Sequence, residues 1–146
     1  MGHSCGGVQA IEVSADPRIS TTMVMDSGLL PGTTSMAGGK PLTKDDLRVF
    51  HAPVAYISGD DEDIAFLNAN DDFEKLKGIA VVRGYGRGVV HNGTYQDRNG
   101  GEFGSIAVAW LNWHLKGDRK SSSMFEGANC GLCVNPRWVV QKKGMP

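Results

Sequence analysis

The sequence has no excess of either charge: 15 Lys and Arg stand against 16 Asp and Glu, a formal net charge of -1. That excludes a field strong enough to gather nucleic acid or an anionic membrane. No apolar run approaches the ~18 residues of a membrane span. Met1 to Gly7 hold no basic segment followed by an apolar core, so no signal peptide is expected in this chain. Internal repeats and low-complexity tracts are missing. Cysteine is scarce, with 3 in all, and only Cys130 and Cys133 are closely spaced. Without a second pair, and with His114 on a predicted helix, no zinc site is expected.

What is present is ordinary globular material, 146 residues with 40% hydrophobic and 21% charged. Wholesale disorder and collagen-like repeats are excluded. The length fits one domain, here 1–146, that buries roughly 70% of its unfolded surface. The 20 glycines are about twice the usual share. They cluster in short loops, which points to tight turns and close backbone approach.

Short β-rich runs alternate with helical patterns. Gly7 to Ser14 reads as a helix ended near Asp16-Pro17. Ile19 to Met25 reads as a strand stopped by Asp26-Ser27-Gly28. Leu30 to Lys40 is a loop, and Thr43 caps a helix through Phe50. Pro53 to Ser58 is a second strand, followed by the acidic loop Gly59 to Asp63. Ile64 to Lys77 is a helix stopped by Gly78. Ile79 to Arg83 is a third strand, and a loop punctuated by Gly84, Gly86 and Gly88 leads to His91. Glu102 to Lys116 carries Phe103, Ile106, Trp110 and Trp113 on one face, and Gly117 stops it. Asp118 to Pro146 is less regular. Strands separated by helices predict an α/β fold, a three-layer αβα arrangement with about three parallel strands.

Gly2-His3-Ser4-Cys5-Gly6 fits the Gly-x-Ser-x-Gly nucleophile elbow. Small residues on either side let the backbone bend sharply between a strand and a helix with Ser at its tip. The Cys5 amide then lies at a helix N-terminus, where it can stabilise an oxyanion. The plainer reading is a helix-entry loop with Ser4 as its cap. Downstream come Asp60, Asp61, Glu62 and Asp63 after the second strand, then His91 after the third. Both groups fall beyond strand C-termini, where ligands collect in open α/β sheets. Taken singly, the acids read as solvated loop residues, with Asp63 a cap for Ile64 onward, and His91 as an ordinary loop histidine. The order Ser, acid, His is that of α/β-hydrolase triads.

At these residues the sequence resembles the C-terminal half of an α/β-hydrolase, near the esterase, dienelactone-hydrolase and polyester-hydrolase branches. The resemblance is carried by Gly2 to Gly7, by Pro53 to Gly59 continuing to Asp63-Ile64-Ala65, and by Asp72-Phe73. It continues in His91 to Tyr95, Asn99 to Gly104, Ala109 to Trp113 and Leu115 to Asp118. It implies Ser4 as nucleophile, His91 as general base and Asp63 as the acid that orients it, with Asp61 the fallback. His3 and Tyr95 are candidate substrate-binding residues. Asn92 stands where the family has Gly, which matters if that turn needs a positive φ. The resemblance also implies about five strands ahead of the elbow, one of whose loops carries the second oxyanion donor. In this chain Met1 directly precedes Gly2, so the expectation is a truncated domain with the feeding strand absent. Ile19 to Met25 would then be an uncovered edge that pairs with another copy, giving a homo-oligomer, most simply a dimer.

Cys130-Gly131-Leu132-Cys133 is read as a local disulfide or two structural thiols rather than a redox pair. A disulfide would suit a parent exported from the cell. Cys5 is left as the odd thiol. Phe103, Trp110 and Trp113 read as core before cleft, and Lys142, Lys143 and Lys116 to Lys120 as solvated charges. The function these readings support is a serine hydrolase of carboxylic esters, polyesters included, that needs no cofactor and no metal. Its alternatives are a catalytically silent remnant that binds or self-associates through a sheet edge, and a redox module using Cys130 and Cys133.

Overall fold

Met23, Val24 and Met25 send alternate side chains to opposite faces of an extended strand, and each face finds an apolar partner. Met23 and Met25 share one core cluster with Phe103, Ile106 and Trp110, while Val24 shares the other with Val8, Ile11 and Phe73. In the computed structural model, which describes residues 1–36 and 38–145, the same division repeats along the sheet. Ala55, Ile57 and Val82 share the face of Met23, and Val54, Tyr56 and Val81 share that of Val24. Helices therefore cover both sides of the sheet, the three-layer αβα arrangement.

The elements run β1 (Gly2–His3), α1 (Cys5–Val13), β2 (Thr22–Met25), β3 (Val54–Gly59), α2 (Phe66–Lys75), β4 (Val81–Gly86), α3 (Gly101–Lys116), α4 (Arg119–Ser122) and β5 (Trp138–Lys143). The sheet order is β1-β2-β3-β4-β5. The first four strands are parallel, and β5 runs antiparallel to β4. Helices α1 and α2 lie on one face and α3 on the other. The segment from Thr43 is a 3-10 helix, Lys44–Val49, with a capping box between Thr43 and Asp46.

Two strands add to the three read from sequence. The feeding strand expected to be absent is present as β1, with Gly2 opposite Val24 and His3 opposite Met25. It covers the C-terminal half of β2, and all four β2 residues are buried. The uncovered edge expected over Ile19 to Met25 is thus closed along Val24 and Met25. The other addition, β5, lies in the stretch read as irregular. Its partner β4 extends through Gly84 and Gly86, which the sequence reading placed in a loop. The Trp138 ring packs against both glycines, 3.6 Å from where a Cβ would stand on either.

Lys142 and Lys143 are not free solvated charges. Lys142 Nζ donates to the carbonyls of Phe125 and Gly127 at 3.1 and 2.6 Å. Lys143 Nζ donates to the Phe73 carbonyl at 2.8 Å, pairs with Glu74 at 3.2 Å and lies over the Phe73 ring. Lys116, Arg119 and Lys120 are exposed. Phe103 and Trp110 are core residues, and Trp113 packs half-buried beside them. Cys130 and Cys133 form a disulfide, and Cys5 is a free, exposed thiol.

Candidate active site

The site begins with the turn that joins β1 to α1. Ser4 takes φ 52° and ψ -121°, a conformation that L-residues hold only when their surroundings enforce it. Three contacts enforce it here. The Ser4 amide donates to the Met25 carbonyl at 3.0 Å. Ser27 Oγ donates to the Ser4 carbonyl at 2.6 Å. The first turn of α1 closes on that same carbonyl through the Gly7 amide at 2.9 Å. A Cβ on Gly2 would overlap the Gly6 carbonyl, and one on Gly7 would overlap Ser27, whereas a Cβ on Gly6 would meet open space. The glycines that the turn requires are Gly2 and Gly7, not Gly6.

His91 reaches this serine from the loop after β4. Ser4 Oγ donates to His91 Nε2 at 2.9 Å. His91 Nδ1 in turn donates to Asp63 Oδ1 at 2.7 Å. A carboxylate can only accept, which fixes the tautomer with its proton on Nδ1. Asp63 lies in the turn between β3 and α2 and is buried, and its Oδ1 also accepts the Ala65 amide at 2.9 Å. Asp61, the fallback acid, is exposed. Asp60 Oδ2 instead accepts the Gly88 amide at 2.6 Å and ties down the loop that carries His91. In that loop the left-handed residues are Gly88 and Gly93, at φ 68° and 55°, and not Asn92.

The structure brings Ser4, Asp63 and His91 into one hydrogen-bonded line. The Cys5 amide opens α1, so it has no intrahelical acceptor and remains available to an oxygen beside Ser4. His3 and Tyr95 are placed differently from the substrate wall expected of them. His3 Nε2 donates to the His91 carbonyl at 2.9 Å, and the Tyr95 hydroxyl donates to Asp26 Oδ2 at 3.2 Å. A hollow of about 150 Å³ adjoins Ser4 and His91, with Val8, Leu30, Met36 and Ile64 among its apolar walls. Two larger surface hollows lie near Leu76, Lys77 and Ile79, at the opposite end of the sheet, and hold none of these residues. Among the described residues, no cluster of His, Cys, Asp or Glu could hold a metal ion.

Two groups under the site went unread in the sequence. Asp26, taken there as part of a strand-ending turn, is fully buried beside Asp63. Burial, then the hydrogen bond and the charge of Asp63, push its carboxyl up to about 8. Arg83 on β4 is likewise fully buried, against the paired rings of Phe66 and Tyr85, and donates to Ser58 Oγ at 2.8 Å. Burial lowers its guanidinium to about 10, while the charges of Tyr85, Asp63 and Asp26 oppose the fall. It stays a cation at neutral pH behind the two carboxyls. A usable signal for Asp26 was an acid directly after a buried strand, at the rim that also carries Asp63.

No protein-family model matches the chain, and no curated protein matches it. Among solved structures it is similar to Est1E from Butyrivibrio proteoclasticus, with a TM-score of 0.52 and 17% sequence identity. The match covers 79% of this chain and 60% of that chain. At this identity the likeness concerns the fold, which is α/β-hydrolase-like.

Proposed function

We propose that the protein is a serine hydrolase that cleaves small carboxylic esters through an acyl-enzyme on Ser4. The observation that carries this reading is the unbroken line of hydrogen bonds from Ser4 Oγ through His91 to Asp63, at 2.9 and 2.7 Å. A serine held at φ 52° at the head of a helix supports it.

His91 Nε2 takes the Ser4 proton as Oγ attacks the ester carbonyl. The carbonyl oxygen becomes an oxyanion held by the Cys5 amide. Collapse breaks the bond to the alkoxy group, which leaves as an alcohol with the proton from His91. Water, deprotonated by His91, then attacks the acyl-enzyme, the acyl carbon–Oγ bond breaks to release the carboxylic acid, and His91 returns the proton to Ser4 Oγ. Asp63 keeps His91 in the required tautomer and stabilises the imidazolium formed in each half. The family resemblance assigns a second oxyanion donor to a segment ahead of the elbow, so the steps above use only the donor present here.

The test is hydrolysis of p-nitrophenyl acetate by the wild type and Ser4→Ala, with fluorophosphonate labelling followed by mass spectrometry. Labelling at Ser4 and loss of turnover in the variant support the reading. An unlabelled, folded wild type would leave the chain as a silent binding module.

A further inference from the structure

The amide of Gly59, the last residue of β3, donates to two carboxyls at once, to Asp26 Oδ1 at 3.1 Å and to Asp63 Oδ2 at 3.2 Å. Both side chains are excluded from solvent. Two carboxylates that share one donor in a dry site cannot both be ionised at neutral pH. Asp63 has the stronger claim to the negative charge. Its Oδ1 accepts from His91 and from the Ala65 amide, besides the shared bond at Oδ2.

We propose that Asp26 is a proton-bearing partner of Asp63, whose carboxylic O–H donates to Asp63 Oδ2 and holds that carboxylate where it meets His91. This rests on the hydrolase reading above and deepens it. Asp26 is a positioning residue, since it acts through Asp63 and does not touch the reacting atoms.

The groups around Asp26 divide: the Gly59 amide and the Tyr95 hydroxyl favour its charged form, and burial beside Asp63 outweighs them. From β1, His3 stands 3.7 Å from Asp26 Oδ2, but its Nε2–H is used on the His91 carbonyl. From the loop after β4, the Tyr95 hydroxyl donates to Oδ2. From beyond β3 comes Asp63, with His91 behind it. From β4, Arg83 reaches toward the pair only as far as Ser58. No cation thus bonds Asp26 directly among the described residues, and one buried guanidinium balances one buried carboxylate. The backbone supplies independent support, because Asp26 lies at φ 42°. Strain in a non-glycine residue persists where surrounding structure enforces it, often at a working site.

The test combines carbon-13 NMR of the aspartate carboxyls with pH profiles of kcat/KM for the wild type, Asp26→Asn and Asp26→Ala. The expected spectrum has one carboxyl titrating near 8, absent from Asp26→Asn. The wild-type profile should fall on the alkaline side as Asp26 ionises against Asp63, and Asp26→Asn, whose amide still donates, should lose that fall. Asp26→Ala, which removes the donor, should lower kcat about tenfold at pH 7, with Asn restoring most of it. Fluorophosphonate labelling of Ser4 is scored in the same samples. A wild type that is labelled but shows no carboxyl titrating near 8, or whose profile matches that of Asp26→Asn, overturns this inference. An unlabelled wild type instead overturns the hydrolase reading itself.

Discussion

His91 Nε2 lies 2.9 Å from Ser4 Oγ across 87 positions of the chain. The strands that deliver them, β1 and β4, are not neighbours, since β2 and β3 lie between. Three interstrand steps separate β1 from β4 by about 14 Å. The loop after β4 must therefore run back along the C-terminal rim of the sheet to reach the serine. Its path is fixed at three points. Asp60 accepts the Gly88 amide, the Asp60 amide donates to the Val89 carbonyl at 3.2 Å, and His3 holds the His91 carbonyl. Gly59 lets the loop pass, because a Cβ there would overlap the Val89 carbonyl.

That path discriminates among the acids of the Asp60 to Asp63 cluster. Asp63→Asn removes the carboxylate that fixes the His91 tautomer and should lower kcat on the order of 10³–10⁴-fold. Asp61→Asn, at an exposed position, should leave kcat/KM within about twofold, as for a surface change remote from such features. Steady-state rates on p-nitrophenyl acetate decide the matter. Equal losses in the two variants would contradict the assignment of Asp63.

On the hydrolase reading, the hollow beside Ser4 takes the acyl group and limits its length. Its volume of about 150 Å³ holds roughly five groups of water size, each occupying ~30 Å³. Acetyl and butyryl esters should turn over, and kcat/KM should fall about tenfold or more by the octanoyl ester. Val8 on α1 forms part of the wall and is buried. Val8→Ala should therefore narrow the gap between butyryl and octanoyl esters. A series of p-nitrophenyl esters measures this directly, and a rate that climbs steadily with chain length would show that substrate lies elsewhere.

The legible part of the site was the part tied to local sequence. Ser4, Asp63 and His91 each follow closely on a strand end, so reading the strands orders the residues. Asp26 also follows a strand, but Asp26-Ser27-Gly28 has the composition of an ordinary turn. Its partner Asp63 stands 37 positions away, and nothing local reports that pairing. The same holds for β5. Trp138 to Lys143 becomes a strand through pairing with β4, and Gly84 and Gly86 belong to β4 because the Trp138 ring fills the space over them. His3 and Tyr95 were read as substrate contacts from nearness to Ser4 and His91. Side-chain direction, which sequence spacing does not carry, sends them to the His91 carbonyl and to Asp26.

Asp26 gives the fold a pH dependence that is separate from catalysis. Its folded value of about 8 lies above the ordinary carboxyl value of 3.8. Between those limits the folded state binds a proton that the unfolded state has released. Stability from this group is therefore complete below about pH 4 and declines as pH rises toward 8, by up to about 1.4 kcal/mol per pH unit. Asp26→Asn has no such proton to lose. Urea unfolding at pH 5 and pH 8 should show the variant gaining on the wild type at the higher pH. A difference that does not change with pH would remove Asp26 as the source.

The elbow separates two glycines that the Gly-x-Ser-x-Gly pattern treats alike. Gly6 sits inside α1 with open space where a Cβ would go. Gly6→Ala should therefore stabilise the helix by roughly 0.5–1 kcal/mol, raising Tm by about 2–4 °C. Gly2→Ala places a methyl group against the Gly6 carbonyl, and β1 is only two residues long. That strand yields before the core does, so the strain is released by moving Ser4 away from His91. Gly2→Ala should accordingly lose most of the p-nitrophenyl acetate turnover and fluorophosphonate labelling expected of the wild type while its Tm changes little. Matched melting curves and labelling rates test the pair, and a Gly2→Ala protein that labels at the wild-type rate would show that the turn holds Ser4 without that close approach.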